Sequence, residues 1–290
     1  MRHARSVFVV PWFRSLWARP GRDTGTCGCS GANSSGVRYV FVSRLSDGAG
    51  GGDTGLGTVR QAVILAGGFG SRLRPLTRTR PKTMVEVHGT PILRHQLDWF
   101  AESGVDQVVV SAGHLAPVIG DYLASHRLPL RTDVVVEERP LGRGGGLKLA
   151  AAALNRPDEP WLAVYGDIWT RFSLAGMFAH HRRHAALATV ALPRPWLPRG
   201  SVECDEQGRV TTLVSPVPPP LRVNGGVYIF EPSVVELLPD EGDHEEVSLP
   251  RLIRARQLTG YLVDGPWRAI NTPNDLDDIE RELSAVTGDA

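Results

Sequence analysis

The chain has 290 residues, with 32 basic and 31 acidic side chains and a formal charge of +1. That length holds one large α/β domain with a full core, or two small ones. The charge balance leaves no footprint for nucleic acid or an anionic membrane, and no apolar run approaches the ~18 residues of a membrane span. Cys27, Cys29 and Cys204 make neither a disulfide framework nor a zinc site, and read as free thiols of a reducing cytoplasm.

Residues 1–57 differ from the rest. Met1 to Arg22 is arginine-rich and free of acid, and Gly48 to Gly57 reads as a flexible linker. This stretch is expected to be a disordered N-terminal extension, with a single domain over 58–290.

From Gln61 onward, apolar strands alternate with helical patterns. Val63 to Ala66 is a short buried strand ending in Gly67, Gly68 and Gly70. A helix is expected after Pro91, a strand over Gln107–Ser111, a helix over Ala116–Ser125 and a strand over Asp133–Glu137. Leu147–Leu154 reads as helix and Trp161–Tyr165 as strand. This alternation predicts an α/β fold with a Rossmann-like, mostly parallel mixed sheet flanked by helices, and ligands at the carboxyl ends of its strands.

The second half reads as a more β-rich part. Leu187–Leu192, Ser201–Asp205, Val210–Val214 and Val223–Phe230 are expected strands, with a hairpin turn at Glu206–Arg209. Pro216–Pro220 must be a loop. The helix Val247–Arg256, the strand Tyr261–Val263 and the helix Pro273–Leu283 follow. His180 and His184 stand i, i+4 on a helix, but lack a third ligand and read as a solvated face.

The glycine loop continues as Ser71-Arg72-Leu73-Arg74-Pro75-Leu76-Thr77, then Arg80-Pro81-Lys82. Glycine lets backbone N–H groups approach a ligand, and the guanidinium and ammonium groups suit a polyphosphate. The string is neither a Walker A motif nor the dinucleotide fingerprint. Further on, Tyr165-Gly166-Asp167 puts a carboxylate after a buried strand, Pro140-Leu141-Gly142-Arg143-Gly144-Gly145-Gly146 forms a second glycine loop, and Val223-Asn224-Gly225-Gly226 a third.

Together these segments closely resemble the sugar-1-phosphate nucleotidylyltransferases, from about Val59 to about Leu283, and within them the mannose- and heptose-1-phosphate guanylyltransferase branch. The resemblance implies transfer of a nucleotidyl group from a nucleoside triphosphate, GTP first, to a sugar 1-phosphate or a cyclitol 1-phosphate, with release of pyrophosphate. It implies Arg72, Lys82 and Asp167 as catalytic residues. Leu65, Ala66, Gly67, Gly68, Gly70, Ser71, Arg72, Leu141, Gly142, Gly144 and Gly145 would contact the nucleotide, and Gly166, Asn224 and Gly225 the sugar. Asp167 would bind Mg²⁺, an oxygen-seeking cation.

Two departures stand out. The lysine that many relatives carry before Asn-Gly-Gly is absent, leaving Arg209 or Arg222 as stand-ins. Ala269 occupies the place of a second metal-binding aspartate, which makes Asn271 the second metal candidate. Uridylyl-, thymidylyl- or cytidylyltransferase activity, or a catalytically inactive nucleotide-sugar-binding regulatory subunit, are the alternatives. A homo-oligomer is left open, and no membrane or nucleic-acid partner is expected.

Overall fold

A computed structural model describes residues 38–40, 58–195, 201–214 and 221–287. In chain order its elements are β1 (Arg38–Val40), β2 (Gln61–Ala66), β3 (Glu86–Val87), β4 (Thr90–Pro91), α1 (Ile92–Glu102), β5 (Gln107–Ala112), α2 (Ala116–Ser125), β6 (Arg131–Val136), α3 (Gly142–Ala151), β7 (Trp161–Tyr165) and β8 (Ile168–Thr170). There follow α4 (Leu174–His184), β9 (Ala188–Leu192), β10 (Ser201–Cys204), β11 (Val210–Val214), β12 (Val227–Phe230), α5 (His244–Arg254), β13 (Leu258–Leu262), β14 (Trp267–Ala269) and α6 (Pro273–Thr287).

Eight strands form one sheet in the order β1-β6-β5-β2-β7-β12-β9-β13. The run β6-β5-β2-β7 is parallel, with Val63 opposite both Val109 and Ala163. β12 runs antiparallel to β7 and β9, which makes the sheet mixed. The chain leaves β2 toward β5 on one side and reaches β7 on the other, so the sheet order switches direction beside β2. Ligand crevices of open α/β sheets lie at such a point.

Strand alternation sends successive side chains to opposite faces. On β2, Ala62, Ile64 and Ala66 pack with Leu93, Leu97 and Phe100 of α1, Ile119 and Leu123 of α2 and Met177 of α4. Val63 packs on the other face with Leu147 of α3 and Leu249 and Leu252 of α5. Trp161, Tyr228 and Phe230 are almost fully enclosed there, and a side chain of that size contributes about 1.5–3 kcal/mol by burial. A third cluster joins Leu73, Val85, Val87, Ile92, Trp169, Ile270, Leu276 and Ile279. It fastens the arginine loop to β8 and α6, and so fixes two distant stretches side by side.

Several boundaries differ from the sequence reading. The helix expected over Leu147–Leu154 starts at Gly142, because the glycines are packed into its first turns (below). α5 starts at His244 rather than Val247, since the Asp243 side chain caps it by accepting from the Glu245 N–H at 2.9 Å. β12 starts at Val227 instead of Val223, because Gly226 sits at φ +66° and breaks the extended run. The strand near Tyr261 begins earlier, at Leu258, in parallel register with β9. Ile168–Thr170 and Trp267–Ala269 pair as an unexpected antiparallel ribbon. Arg38–Val40, inside the stretch set aside as an extension, pairs antiparallel with β6. Cys27, Cys29 and the Pro216–Pro220 loop lie outside the described residues. No helix among the described residues is long and apolar enough to cross a membrane.

Candidate active site

A cleft of about 350 Å³ opens at the carboxyl ends of β2, β6 and β7. Leu65, Ala66, Gly67, Gly68 and Phe69 form one wall, Glu137, Pro140, Gly142 and Arg143 another. Lys82, Thr83, Tyr165, Gly166 and Asp167 complete it. A larger groove of about 730 Å³ is lined by Thr79–Glu86 residues, α1 and α2. Its cations are already paired, Arg80 with Glu86 and Arg94 with Asp98, each at 2.9 Å. The chemistry therefore points to the cleft.

The local sequence explains its shape. Gly70 takes φ +60° and opens the 3₁₀ turn Ser71–Leu73, and its carbonyl accepts from Thr77 Oγ1 at 2.8 Å. Leu73 is buried, while Ser71 and Arg72 stay exposed. Gly166 donates its N–H to the Leu65 carbonyl at 2.8 Å, and a Cβ there would stand 2.6 Å from that same oxygen. Only glycine lets the ends of β2 and β7 come this close.

Three residues far apart in sequence meet at one point. The Lys82 ammonium donates to Asp167 Oδ2 and, at 3.0 Å, to Asn271 Oδ1. The Lys82 and Asp167 side chains are 17% and 25% exposed, so the pair is shielded but reachable. Asn271 is oriented by Asp275, which accepts from the Asn271 N–H at 2.8 Å, and the Ile270 N–H bonds the Asp167 carbonyl at 2.9 Å. The spot already holds a cationic group between two hard oxygen donors. That donor set fits Mg²⁺, which commonly takes one or two carboxylates and completes its shell with phosphate and water.

The sequence reading did not select Glu137. Its carboxylate closes the far wall, accepting from Ser111 Oγ and the Leu141 N–H at 3.1 Å each. A Cβ on Gly67 would come within 3.0 Å of it. Burial pushes its carboxyl above the usual range, and the two hydrogen bonds oppose that shift. Its position at the end of β6, where ligands of such sheets collect, was the available signal.

The second glycine loop is held from behind. Cβ atoms on Gly142, Gly144 and Gly145 would meet Gly242 O at 2.6 Å, Pro239 Cγ at 2.6 Å and Asp240 O at 2.5 Å. Gly142 lines the cleft. Gly144 and Gly145 are buried, and Leu141 is half-buried. The fold alone therefore requires glycine at 142, 144 and 145.

Arg143 leads into a polar cluster. Its Nε donates to Asp243 Oδ2 at 2.8 Å, and its Nη1 and Nη2 donate to Glu245 at 2.9 Å each. Nη2 also reaches Asp243, Nη1 lies 3.3 Å from Tyr165 Oη, and the guanidinium sits 5.2 Å above the Tyr165 ring. Burial lowers its pKa, but the Asp243 hydrogen bond and the surrounding charges outweigh this and raise it. Glu245 further accepts from Tyr165 Oη, from Asn224 Nδ2 at 2.9 Å and from Tyr228 Oη at 3.3 Å. Asn224 also donates to Tyr228 Oη at 2.5 Å and accepts from the Gly226 N–H at 3.0 Å. Burial drives the Tyr165 and Tyr228 hydroxyls up and His244 down to about 4. All three stay neutral.

Gly225 is enclosed by Pro193 and the Ala191 carbonyl, and its own carbonyl accepts from Trp267 Nε1 at 2.8 Å. Arg209 is exposed beside Asp205, and Arg222 donates to the Leu192 carbonyl at 2.8 Å. Neither lines the cleft. His180 and His184 stack at 4.0 Å on α4.

The sequence model described as Nucleotidyl transferase matches residues 61–285. The chain belongs to the nucleotidyl transferase family. It is 34% identical over 224 residues to a mannose-1-phosphate guanylyltransferase of Mycobacterium tuberculosis and 31% identical over 227 residues to the mannose-1-phosphate guanyltransferase of Neurospora crassa. Each alignment covers 74% of this chain and 62% of the relative, so the chain spans about three-fifths of the length of these curated relatives. Among solved structures, HddC from Yersinia pseudotuberculosis complexed with GMP-PN superposes with a TM-score of 0.62 at 22% identity, covering 78% of this chain and 100% of that one. A UDP-glucose pyrophosphorylase complexed with UDP-glucose gives 0.61 at 16% identity, covering 79% and 99%. Both likenesses establish the fold.

Proposed function

We propose that this protein transfers a guanylyl group from GTP to a sugar 1-phosphate, giving a GDP-sugar and pyrophosphate. The meeting of Lys82 and Asp167, which line the cleft, with Asn271, which bonds Lys82, in a family member carries the reading. The 1-phosphate oxygen attacks the α-phosphorus, one P–O bond forms, the α–β P–O bond breaks, and pyrophosphate leaves. Both reactants are anions, so the protein's work is neutralisation and alignment. Lys82 supplies charge at the reacting phosphate. Arg72, exposed beside the glycine loop, supplies it at the triphosphate. Gly67 and Gly68 offer backbone N–H groups. Asp167 and Asn271 would hold Mg²⁺, which would add Lewis-acid charge at the transferred group.

Glu137 favours guanine. An ionised carboxylate accepts two hydrogen bonds side by side, and guanine is the common base with two adjacent donors, N1–H and N2–H, on its pairing edge. The named activity of the relatives points the same way. An aldose 1-phosphate is the first acceptor to try, and a cyclitol phosphate the second.

The test is pyrophosphate release from GTP, UTP, CTP, dTTP and ATP crossed with a panel of sugar and cyclitol 1-phosphates. Release with GTP is expected, with the preference for GTP over UTP falling about 5- to 100-fold in Glu137→Gln, as for loss of a bidentate base contact. Release with another base would move the assignment to a sister activity. Nucleotide binding without release would favour a regulatory subunit.

A further inference from the structure

Arg143, Tyr165, Tyr228, Asn224, Asp243, His244 and Glu245 form a second polar centre against the cleft, and the transfer chemistry leaves it unused. Arg143 and Tyr165 line the cleft, Asn224 is exposed, and Glu245 is half-buried behind them. Every N–H of the Arg143 guanidinium is engaged by Asp243, Glu245 or Tyr165, so it has nothing left to grip a phosphate. One cation faces two carboxylates, and His244 stays neutral. The resulting excess of negative charge opposes an anion. It suits hydroxyl groups, which donate to the acceptor positions left on the Glu245 carboxylate and the Asn224 carbonyl, both Asn224 N–H groups being spent on Tyr228 and Glu245.

Glu245 is the hub. Its Oε1 takes donors from Arg143, Tyr165, Asn224 and Tyr228, and its Oε2 takes one from Arg143, which leaves an acceptor position free. It thereby fixes the orientation of the Asn224 amide and of the Tyr165 ring, two residues before Asp167. His244 bonds Tyr165 Oη through Nε2 at 3.2 Å, while its buried Nδ1 has no hydrogen-bond partner. The cluster is thus built around Tyr165 and Asn224 from behind.

We propose that Glu245 is the positioning residue of the acceptor side: through Asn224 and Tyr165 it sets where the hydroxyl groups of the sugar 1-phosphate are held, with Arg143 as its counter-ion. This rests on the guanylyltransferase reading. It predicts a separation of effects between the two substrates.

The experiment is steady-state turnover of wild type and Glu245→Gln with GTP and epimeric sugar 1-phosphates, beside calorimetric binding of GTP. In Glu245→Gln the KM for the sugar phosphate should rise about 10- to 100-fold, the range for losing hydrogen bonds to a charged group. Discrimination between epimers should fall, and GTP affinity should hold within about twofold. Glu245→Asp, which keeps the charge, should recover part of the loss. An unchanged sugar-phosphate KM, or a parallel fall in GTP affinity, overturns the proposal. If Glu245→Gln fails to fold, Asn224→Ala at its exposed site decides: a raised sugar-phosphate KM at constant GTP affinity supports the proposal, and no change overturns it. Wild-type protein that releases no pyrophosphate with any pair would fail the guanylyltransferase reading itself.

Discussion

The two sides of the cleft are built on opposite rules. On the side proposed for the nucleotide, Ser71 and Arg72 are exposed, Gly68 has open space around it, and the Lys82–Asp167 pair is shielded but reachable. On the side proposed for the acceptor, Arg143, Glu245, Asn224 and the two tyrosines spend most of their hydrogen-bonding capacity on one another. Under the proposed function the contrast follows from the ligands. A triphosphate brings its own charge, so its site needs cations and N–H groups free to receive it. A sugar brings neutral hydroxyls, whose recognition depends on donors and acceptors already fixed in place, because an ordered polar lattice costs nothing further at binding. Substitutions on the nucleotide side should therefore show in turnover more than in the fold, and those behind the acceptor side in the fold as well as in turnover.

The largest effect is expected at the meeting point. Lys82→Ala and Asp167→Ala should each lower single-turnover pyrophosphate release by about 10²- to 10³-fold, the usual loss for removing a transition-state contact. The pair is shielded but keeps some contact with solvent, so losing either side chain should cost about 1–3 kcal/mol of stability. A larger loss of stability in either variant would break the contrast.

Behind the acceptor side the expectation reverses. His244 is enclosed and its folded pKa lies near 4, below the ordinary value of 6.5. The unfolded chain then binds more protons than the folded one as pH falls. The stability tied to neutral His244 is fully present above about 6.5 and is lost between there and about 4, amounting to roughly 3 kcal/mol at most. Burial also lowers His95 and His181, with the same sign. Denaturant melts from pH 7 to pH 4 should show the decline, and His244→Gln should flatten part of it. A slope unchanged by His244→Gln would remove the histidine from the account.

These contrasts were unequally visible in the sequence. The β2 strand, the glycine loop, Lys82 and Asp167 lie in short contiguous strings, where residue type and spacing carry the meaning. Asn271 became a metal candidate because the family resemblance puts a metal-binding aspartate at position 269, where this chain has alanine, and Asn271 is an oxygen donor two residues on. Glu245 was missed because its role depends on Arg143, 102 positions away, and an acidic run such as Asp240–Glu246 reads alone as a solvated surface. The start of α3 was missed for a related reason. Glycine is a poor helix former, yet Gly142, Gly144 and Gly145 open α3 packed against the loop Pro239–Gly242, which leaves no room for a Cβ at any of the three. Long-range packing overrode local propensity at both places.

Glycine offers a finer separation, of fold from ligand. Gly145→Ala sets a Cβ 2.5 Å from the Asp240 carbonyl, a backbone atom that cannot swing away. The cost should be about 1–3 kcal/mol in melting, as for other overpacked sites. Gly68 is different. A Cβ there meets nothing within 4 Å, and its φ lies outside the left-handed range. Gly68→Ala should hold or slightly raise the melting temperature, since alanine restricts the unfolded chain by about 0.4–1 kcal/mol. If Gly68 is glycine for the ligand's sake, the added methyl group obstructs the approach of phosphate to the loop backbone. GTP affinity should then fall by about tenfold in calorimetry, with the sugar-phosphate KM at saturating GTP unchanged. If GTP binds Gly68→Ala as it binds the wild type, the triphosphate does not lie against this part of the loop, and the nucleotide side must be redrawn around Arg72 and Lys82.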